Sequence, residues 1–439
     1  MTETNLKSGL STRWKAPFFT LWTGQAFSLL GSQLVQFALI WWLTKTTGKA
    51  TVLATASLFG LLPQVLIGPL AGALVDRWNR RKVMIAADSL IAISTLVLVV
   101  LFNLGVVQVW HIYLIMFIRA SLGGFHWSAW QASTSMLVPK EQLSRVQGAN
   151  QALNGALNIG SAPLGAVLMA LLPMGWVLMV DVLTAAVAIS PLLFIPIPQP
   201  EKQLASDATS PGSSSVWADM RDGFKYVLAW PGLLWILAMA TIINLLLTPA
   251  SALMPILVSK YFGGDALQLA WTETAWGIGV VLGGLVLSVW GGFKVQIKTS
   301  LVGLVLLGGG MAIIGFTPAT MFALTLAMMF VTGFGNPLTN GPLFAVIQSV
   351  VAPEMQGRVI GLIASVAAAM SPLGLMIAGP ISDRLGVQTW FVAGGIVTIL
   401  LALGAAFVPA IMHIEDDESR SAHSQAAAAQ PGLASTPGD

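Results

Sequence analysis

The chain of 439 residues contains no cysteine. That excludes disulfides, thiol nucleophiles, thiolate metal sites and iron–sulfur clusters. Charge is scarce as well. Asp, Glu, Lys and Arg together make up 9% of the residues, against about 25% in an ordinary soluble domain. This length would otherwise suggest two or three soluble domains, but there is too little charge to wet their surfaces. The chain has no G-x-x-x-x-G-K-[ST] phosphate loop, which excludes ATP hydrolysis in its usual form. Its four histidines (His111, His126, His413 and His423) show no H-E-x-x-H or similar metal spacing. No catalytic constellation is visible, so no enzyme is expected, and nothing calls for a cofactor or a metal. The first dozen residues are polar and lack a cleavable signal pattern.

What fills the chain instead is apolar: 56% of residues are hydrophobic. Apolar stretches fall at 18–43, 51–75, 83–103, 109–137, 146–172 and 174–196, then at 231–258, 266–290, 296–316, 320–348, 357–381 and 388–411. Each reaches or approaches the ~20 residues needed to cross a bilayer. The reading is an all-α membrane protein of 12 transmembrane helices, six plus six. With the N-terminus inside, 16 of the 21 Lys and Arg fall in cytoplasmic segments or at the cytoplasmic ends of spans and 4 outside, and Arg119 lies deep within a span. That bias satisfies the positive-inside rule and places both termini in the cytoplasm of a multi-pass inner or plasma membrane protein. The net charge of +3 is therefore a topology signal, and its spread over many short loops argues against nucleic-acid binding.

Four segments follow: an N-terminal six-helix bundle at 1–196, a cytoplasmic linker at 197–230, a C-terminal six-helix bundle at 231–411, and a disordered cytoplasmic tail at 412–439. The linker starts Pro- and Ser-rich. Trp217, Met220, Phe224 and Leu228 then recur at spacings of three and four. That spacing gives an amphipathic helix, lying either on the membrane surface or against the end of the bundle.

The halves resemble each other. VPKEQLSRVQG at 138–148 pairs with VAPEMQGRVIG at 351–361, so that Glu141, Arg145 and Gly148 fall on Glu354, Arg358 and Gly361, an offset of 213. GALVDRWNRRK at 72–82 pairs with GLVLSVWGGFK at 284–294, and PLG at 163–165 recurs at 372–374. Such repeats place a site near the midplane between two pseudo-symmetric halves.

The loop GALVDRWNRRK, with Gly72, Asp76, Arg77, Arg80, Arg81 and Lys82 in place, resembles the G-x-x-x-D-R-x-x-R-R-K signature of the major facilitator superfamily. The likeness covers about residues 15–411. Within that superfamily SLLGSQLVQFALIWWL (28–43), DRWNRRKVMIAADS (76–89) and DMRDGFKYV (219–227) are similar to the macrolide-efflux and enterobactin-exporter branch. The resemblance implies a major facilitator fold and a conformational latch at the loop. In physical terms Gly72 is expected to allow close helix approach, and Asp76 to cap a helix or bond a neighbour. The basic cluster is expected to pair with Asp76 and with lipid headgroups. The second-half copy has Ser288 in place of Asp76, so its latch is expected to be weaker.

An ionisable group inside a span is a functional candidate by default. Arg119 lies about eleven residues into span 4, near mid-bilayer. Arg119-Ala-Ser-Leu-Gly123 resembles the R-x-x-Q-G motif of proton-coupled facilitators, with Leu122 in place of Gln. That resemblance implies a role in proton transfer, the alternative being a structural ion pair. His126, seven residues on, shares its helical face and could relay protons or simply pack. Asp181 in span 6 and Glu273 in span 8 are the candidate proton-carrying carboxylates, or else interfacial residues bonded to neighbours. Asp88 is expected to pair with the basic loop. Gln25, Ser28, Ser32 and Gln36 form one polar face of span 1, and Thr241, Asn244 and Thr248 one face of span 7. Both faces line the expected substrate cavity, or glue helices together.

The expected function is proton-coupled efflux of amphipathic compounds, macrolide-like drugs or siderophores, by alternating access in a monomer within the lipid bilayer. The alternatives are uptake of solutes, transport of lipids, or a non-transporting membrane sensor.

Overall fold

In a computed structural model, which describes residues 14–139, 142–197, 199 and 216–416, the described chain is helical and contains no strand. Lipid offers backbone groups no partners, so helices that satisfy their own hydrogen bonds are the available solution for a single span. The first six are α1 (Lys15–Thr47), α2 (Ala50–Arg77), α3 (Arg80–Asn103), α4 (Val109–Leu137), α5 (Leu143–Leu171) and α6 (Met174–Phe194). The short α7 (Val216–Ala229) precedes α8 (Pro231–Ile256), which runs into one π-helical turn at Leu257–Tyr261. Then come α9 (Ala266–Trp290), α10 (Gln296–Phe316), α11 (Phe322–Val350), α12 (Pro353–Leu385), α13 (Gln388–Ala406) and the single turn α14 (Pro409–Met412). Helices α1–α6 and α8–α13 coincide with the twelve expected spans. Eleven of them meet the length and apolarity expected of a membrane crossing. The twelfth, α4, has 29 residues and is long enough, but Arg119 and His126 sit in its middle and make it more polar.

The helix ends follow local chemistry. Helix α1 stops at Gly48, whose φ of 58° is left-handed and whose N–H bonds Thr44 O at 2.9 Å, a glycine C-cap. Helix α3 starts at Asn79, whose side chain accepts from the Lys82 N–H at 3.1 Å.

The chain divides into two compact units, residues 1–204 with 252–274, and residues 205–251 with 275–439. In the first unit α1 packs on α5 and α6, α2 on α4, and α3 on α4 and α6. The second unit repeats this pairing. Helix α10 packs on α11 and α13; α9 meets α11 where Gly279 and Gly283 abut Phe330 and Phe334. Helix α8 meets α12 where Leu245 and Pro249 abut Gly374, and meets α13 where Trp390 donates to Leu246 O at 2.7 Å. The sequence repeat is thus a repeat of helix pairings.

The stretch after the sixth helix of each half returns to cap the third. Gln199 Oε1 accepts from the Arg80 N–H at 3.2 Å at the start of α3. Glu415 accepts from the N–H groups of Gln296 (3.1 Å) and Ile297 (2.8 Å) at the start of α10. A carboxylate there satisfies orphan donors and complements the helix dipole. This corrects the expectation of a tail without structure from 412: Ile414 is fully buried and Glu415 is bonded. Residues 417–439, and most of the Pro/Ser-rich linker, lie outside the described residues.

Helix α7 packs on α12. Phe224 and Leu228, on the face read as apolar, are about half exposed, whereas Val227 is buried. A Cβ at Gly223 would lie 3.1 Å from Arg358 O, so α7 packs on α12 through Gly223 and Val227 and leaves Phe224 and Leu228 outward. The side chains of Trp217 and Met220 lie outside the description.

Candidate functional site

The first unit holds two polar layers inside its helix bundle. The outer layer is centred on Asp181 of α6, whose side chain is 1% exposed. Its Oδ2 is bonded by Arg119 of α4 and by Thr95 of α3, the latter at 2.8 Å, and its Oδ1 accepts from Ser32 of α1 at 3.0 Å. Arg119 also reaches the Thr95 hydroxyl. Four helices therefore converge on one carboxylate. Gly31 makes the approach possible: a Cβ there would strike Thr184 Oγ1 and lie 3.1 Å from Asp181 Cα. Removing one partner of such a buried pair costs about 3–5 kcal/mol, because the other is left as an uncompensated charge.

The inner layer is centred on Asp88 of α3, whose side chain is 5% exposed. Gln25 of α1 donates to its Oδ2 at 3.2 Å. His126 of α4 places Nε2 3.4 Å from its Oδ1, within ion-pair range but out of hydrogen-bond alignment. Asp88 therefore binds side chains inside the bundle, contrary to the expectation that it pairs with the basic loop. The two layers share their helices. Gln25 and Ser32, Asp88 and Thr95, and Arg119 and His126 are each seven residues apart, two turns or ~10 Å along the helix. That common spacing is the signal which could have grouped them.

The basic loop reaches two neighbouring helices. Arg80 is buried and donates to Ala132 O (3.1 Å) and to Met136 Sδ of α4. Arg81 donates to Leu192 O and Leu193 O at the end of α6, where a cation complements the dipole. Arg77 and Lys82 are exposed. The close-approach role expected of Gly72 is not supported: a Cβ there would meet nothing within 4 Å. The Asp76 side chain lies outside the description.

The remaining candidates are scattered. Ser28 is buried and Gln36 exposed. In the second unit Thr241 and Asn244 bond back to Leu237 O and Ala240 O of their own helix. Thr248 shares a hydrogen bond of 3.0 Å with Ser371 of α12. Glu273, on α9 in the first unit, is half-buried and has no hydrogen bond or ion pair among the described residues. Its neighbour Thr274 donates to Ile159 O at 3.2 Å, and Ala270, one turn away, packs on Ala162 and Ala166 of α5. The structure thus joins Arg119 to Asp181 and leaves Glu273 by itself. Sequence reasoning missed the ligand roles of Gln25, Ser32, Thr95 and Asp88.

Comparisons with known proteins agree with this architecture. The family model of the Major Facilitator Superfamily matches residues 21–375. Macrolide efflux protein A of Streptococcus pyogenes is 32% identical over 402 residues, covering 92% of this chain and 98% of that protein. Multidrug efflux pump Tap of Mycolicibacterium fortuitum is 27% identical over 403 residues, covering 88% of this chain and 94% of the pump. Among solved structures, a bacterial homologue of the human lysosomal transporter Spinster, inward-facing and unoccupied, superposes with a TM-score of 0.66 at 12% identity. It covers 93% of this chain and 98% of that one.

Proposed function

The chain belongs to the Major Facilitator Superfamily, and we propose that it exports amphipathic small molecules against a proton gradient, alternating access by rocking its two halves. Relatives named for macrolide and multidrug efflux support the direction and the substrate class. The cation bias of the loops supports a cell-membrane orientation with both termini inside. We take the working unit to be the monomer.

The observation that carries coupling is the Arg119–Asp181 pair, buried where four helices meet. A rearrangement that pulled Arg119 away would leave a lone carboxylate in apolar surroundings. That state is expensive, and a proton relieves it. Glu273 is the second carboxylate in this scheme, because no cation or donor holds it. Gln36, Thr241 and Asn244 face the transported molecule in this reading; Gln25 and Ser32 serve the acids instead.

The test is a susceptibility and ethidium-efflux panel in a pump-deficient host, with and without an uncoupler. Wild type should lower dye retention, and the uncoupler should abolish the effect. Asp181→Asn combined with Glu273→Gln should remove gradient-driven efflux. Full efflux in that double variant would refute the assignment of the acids. Counterflow of lipids with no dye efflux would refute drug export.

A further inference from the structure

We propose that Asp88 and His126 form a proton-binding site of their own, two helical turns to the cytoplasmic side of the Arg119–Asp181 pair. The role of this site in transport rests on the proton-coupled reading above, while its chemistry does not.

The argument starts from charge balance. The outer layer holds one cation and one anion, and three donors occupy the oxygens of Asp181. It is neutral as it stands. The inner layer holds a carboxylate, an amide and an imidazole. With the imidazole neutral, the layer has no cation to balance an ionised carboxylate, and such a charge is expensive inside a membrane. No other group answers it among the described residues. Helix α1 carries no charge between Lys15 and Lys45, and α2 none before Asp76 and Arg77 at its cytoplasmic end. Arg119 of α4 is committed to Asp181, Arg80 of α3 reaches Ala132 and Met136, and Asp181 is the one ionisable residue of α6.

Geometry points the same way. His126 Nε2 and Gln25 Oε1 are both buried without a hydrogen-bond partner, and both belong to side chains gathered on Asp88. Buried orphan atoms are rare and costly. A proton delivered by hydronium from the solvent, which is left as water, makes His126 an imidazolium when it binds Nε2 beside Oδ1, where a small side-chain adjustment completes a charge-assisted hydrogen bond. No other bond forms or breaks. The inner layer then matches the outer one, cation beside anion. The proton can be bound and released there while Arg119 and Asp181 stay paired, so the molecule has a place to hold a proton on the cytoplasmic side of its central ion pair.

The experiment uses full-length protein with ¹³C-labelled histidine in lipid nanodiscs, titrated from about pH 5 to about pH 9, the range in which histidine changes charge. His126→Gln identifies the His126 signal among the four histidines. In wild type that signal should pass between its neutral and charged forms within the range. Asp88→Asn should remove the transition and Asp88→Glu should keep it. A His126 signal held in one form throughout the wild-type titration would overturn the proposal, as would an unchanged transition in Asp88→Asn. The wild-type trace decides by itself if the Asn variant does not fold. Efflux insensitive to uncoupler, with the His126 transition intact, would sink the coupling reading and leave this site standing. Uncoupler-sensitive efflux without the transition would sink this site alone.

Discussion

Helix α3 meets α6 through Thr95 and Asp181, with Arg119 reaching in from α4. In the second half α10 meets α13 through glycine: a Cβ on Gly308 would lie 2.8 Å from Gly395 O, and one on Gly395 would strike Ala312 N. Carried by the 213-residue offset of the loop after α4, Arg119, His126 and Asp181 fall on Thr332, Thr339 and Gly394; carried by the 212-residue offset of the loop before α3, Asp88 and Thr95 fall on Ser300 and Leu307, so none of these positions is charged in the second half. One set of helix pairings is thus held by buried charge in one half and by small residues in the other. Small-residue packing is the ordinary way to join helices in lipid, and a buried ion pair is weak evidence of stability. The second half shows that the pairing needs no charge. Packing alone therefore does not call for the charges of the first half, which fits the transport role proposed for them.

The largest effect is expected from breaking the pair on one side. Arg119→Ala should lower the stability of the first half by about 3–5 kcal/mol, read as a fall in the melting temperature of detergent-solubilised protein. Gly395→Val tests the other half, and the added methyls should overpack the α10–α13 contact and cost about 1–3 kcal/mol in the same measurement. The caps sharpen the comparison further. Helix α3 has a local cap, Asn79, beside the distant Gln199, whereas α10 depends on Glu415, 119 residues beyond Gln296. Glu415→Ala should cost about 0.5–2 kcal/mol and speed hydrogen exchange at Gln296 and Ile297, leaving the start of α3 unchanged. Ser32→Ala removes one of several donors to Asp181, and about 1 kcal/mol is expected, with efflux largely retained.

The spans and the repeat were legible because hydrophobic runs and loop cations are local properties of a chain. Arg119, Asp181 and His126 stood out because a charge inside an apolar run is conspicuous. That Arg119 meets Asp181 was not legible, since the two are 62 residues apart and spacing along one helix says nothing about which helix faces it. Asp88 was assigned to the nearby basic loop by proximity in sequence, but its helical phase turns it toward Gln25 and His126 instead. Which face of α7 meets α12 was not legible for a related reason. Phe224 and Leu228 mark an apolar stripe, but Gly223 allows the closer backbone approach and so decides which side packs. Glu415 was hidden in a low-complexity tail, and only its position after the sixth helix, matching Gln199 in the first half, reveals it as a cap.

The central claim, that the buried pair of the first half serves transport and not the fold, is tested most directly by neutralising both partners together. The double variant Arg119→Leu with Asp181→Ala should regain most of the stability lost in Arg119→Ala, to within about 1 kcal/mol of wild type, since neither charge is left unpaired. Reconstituted in proteoliposomes with an imposed pH gradient, it should show no gradient-driven ethidium transport. Gradient-driven transport at the wild-type rate in this variant would contradict the claim.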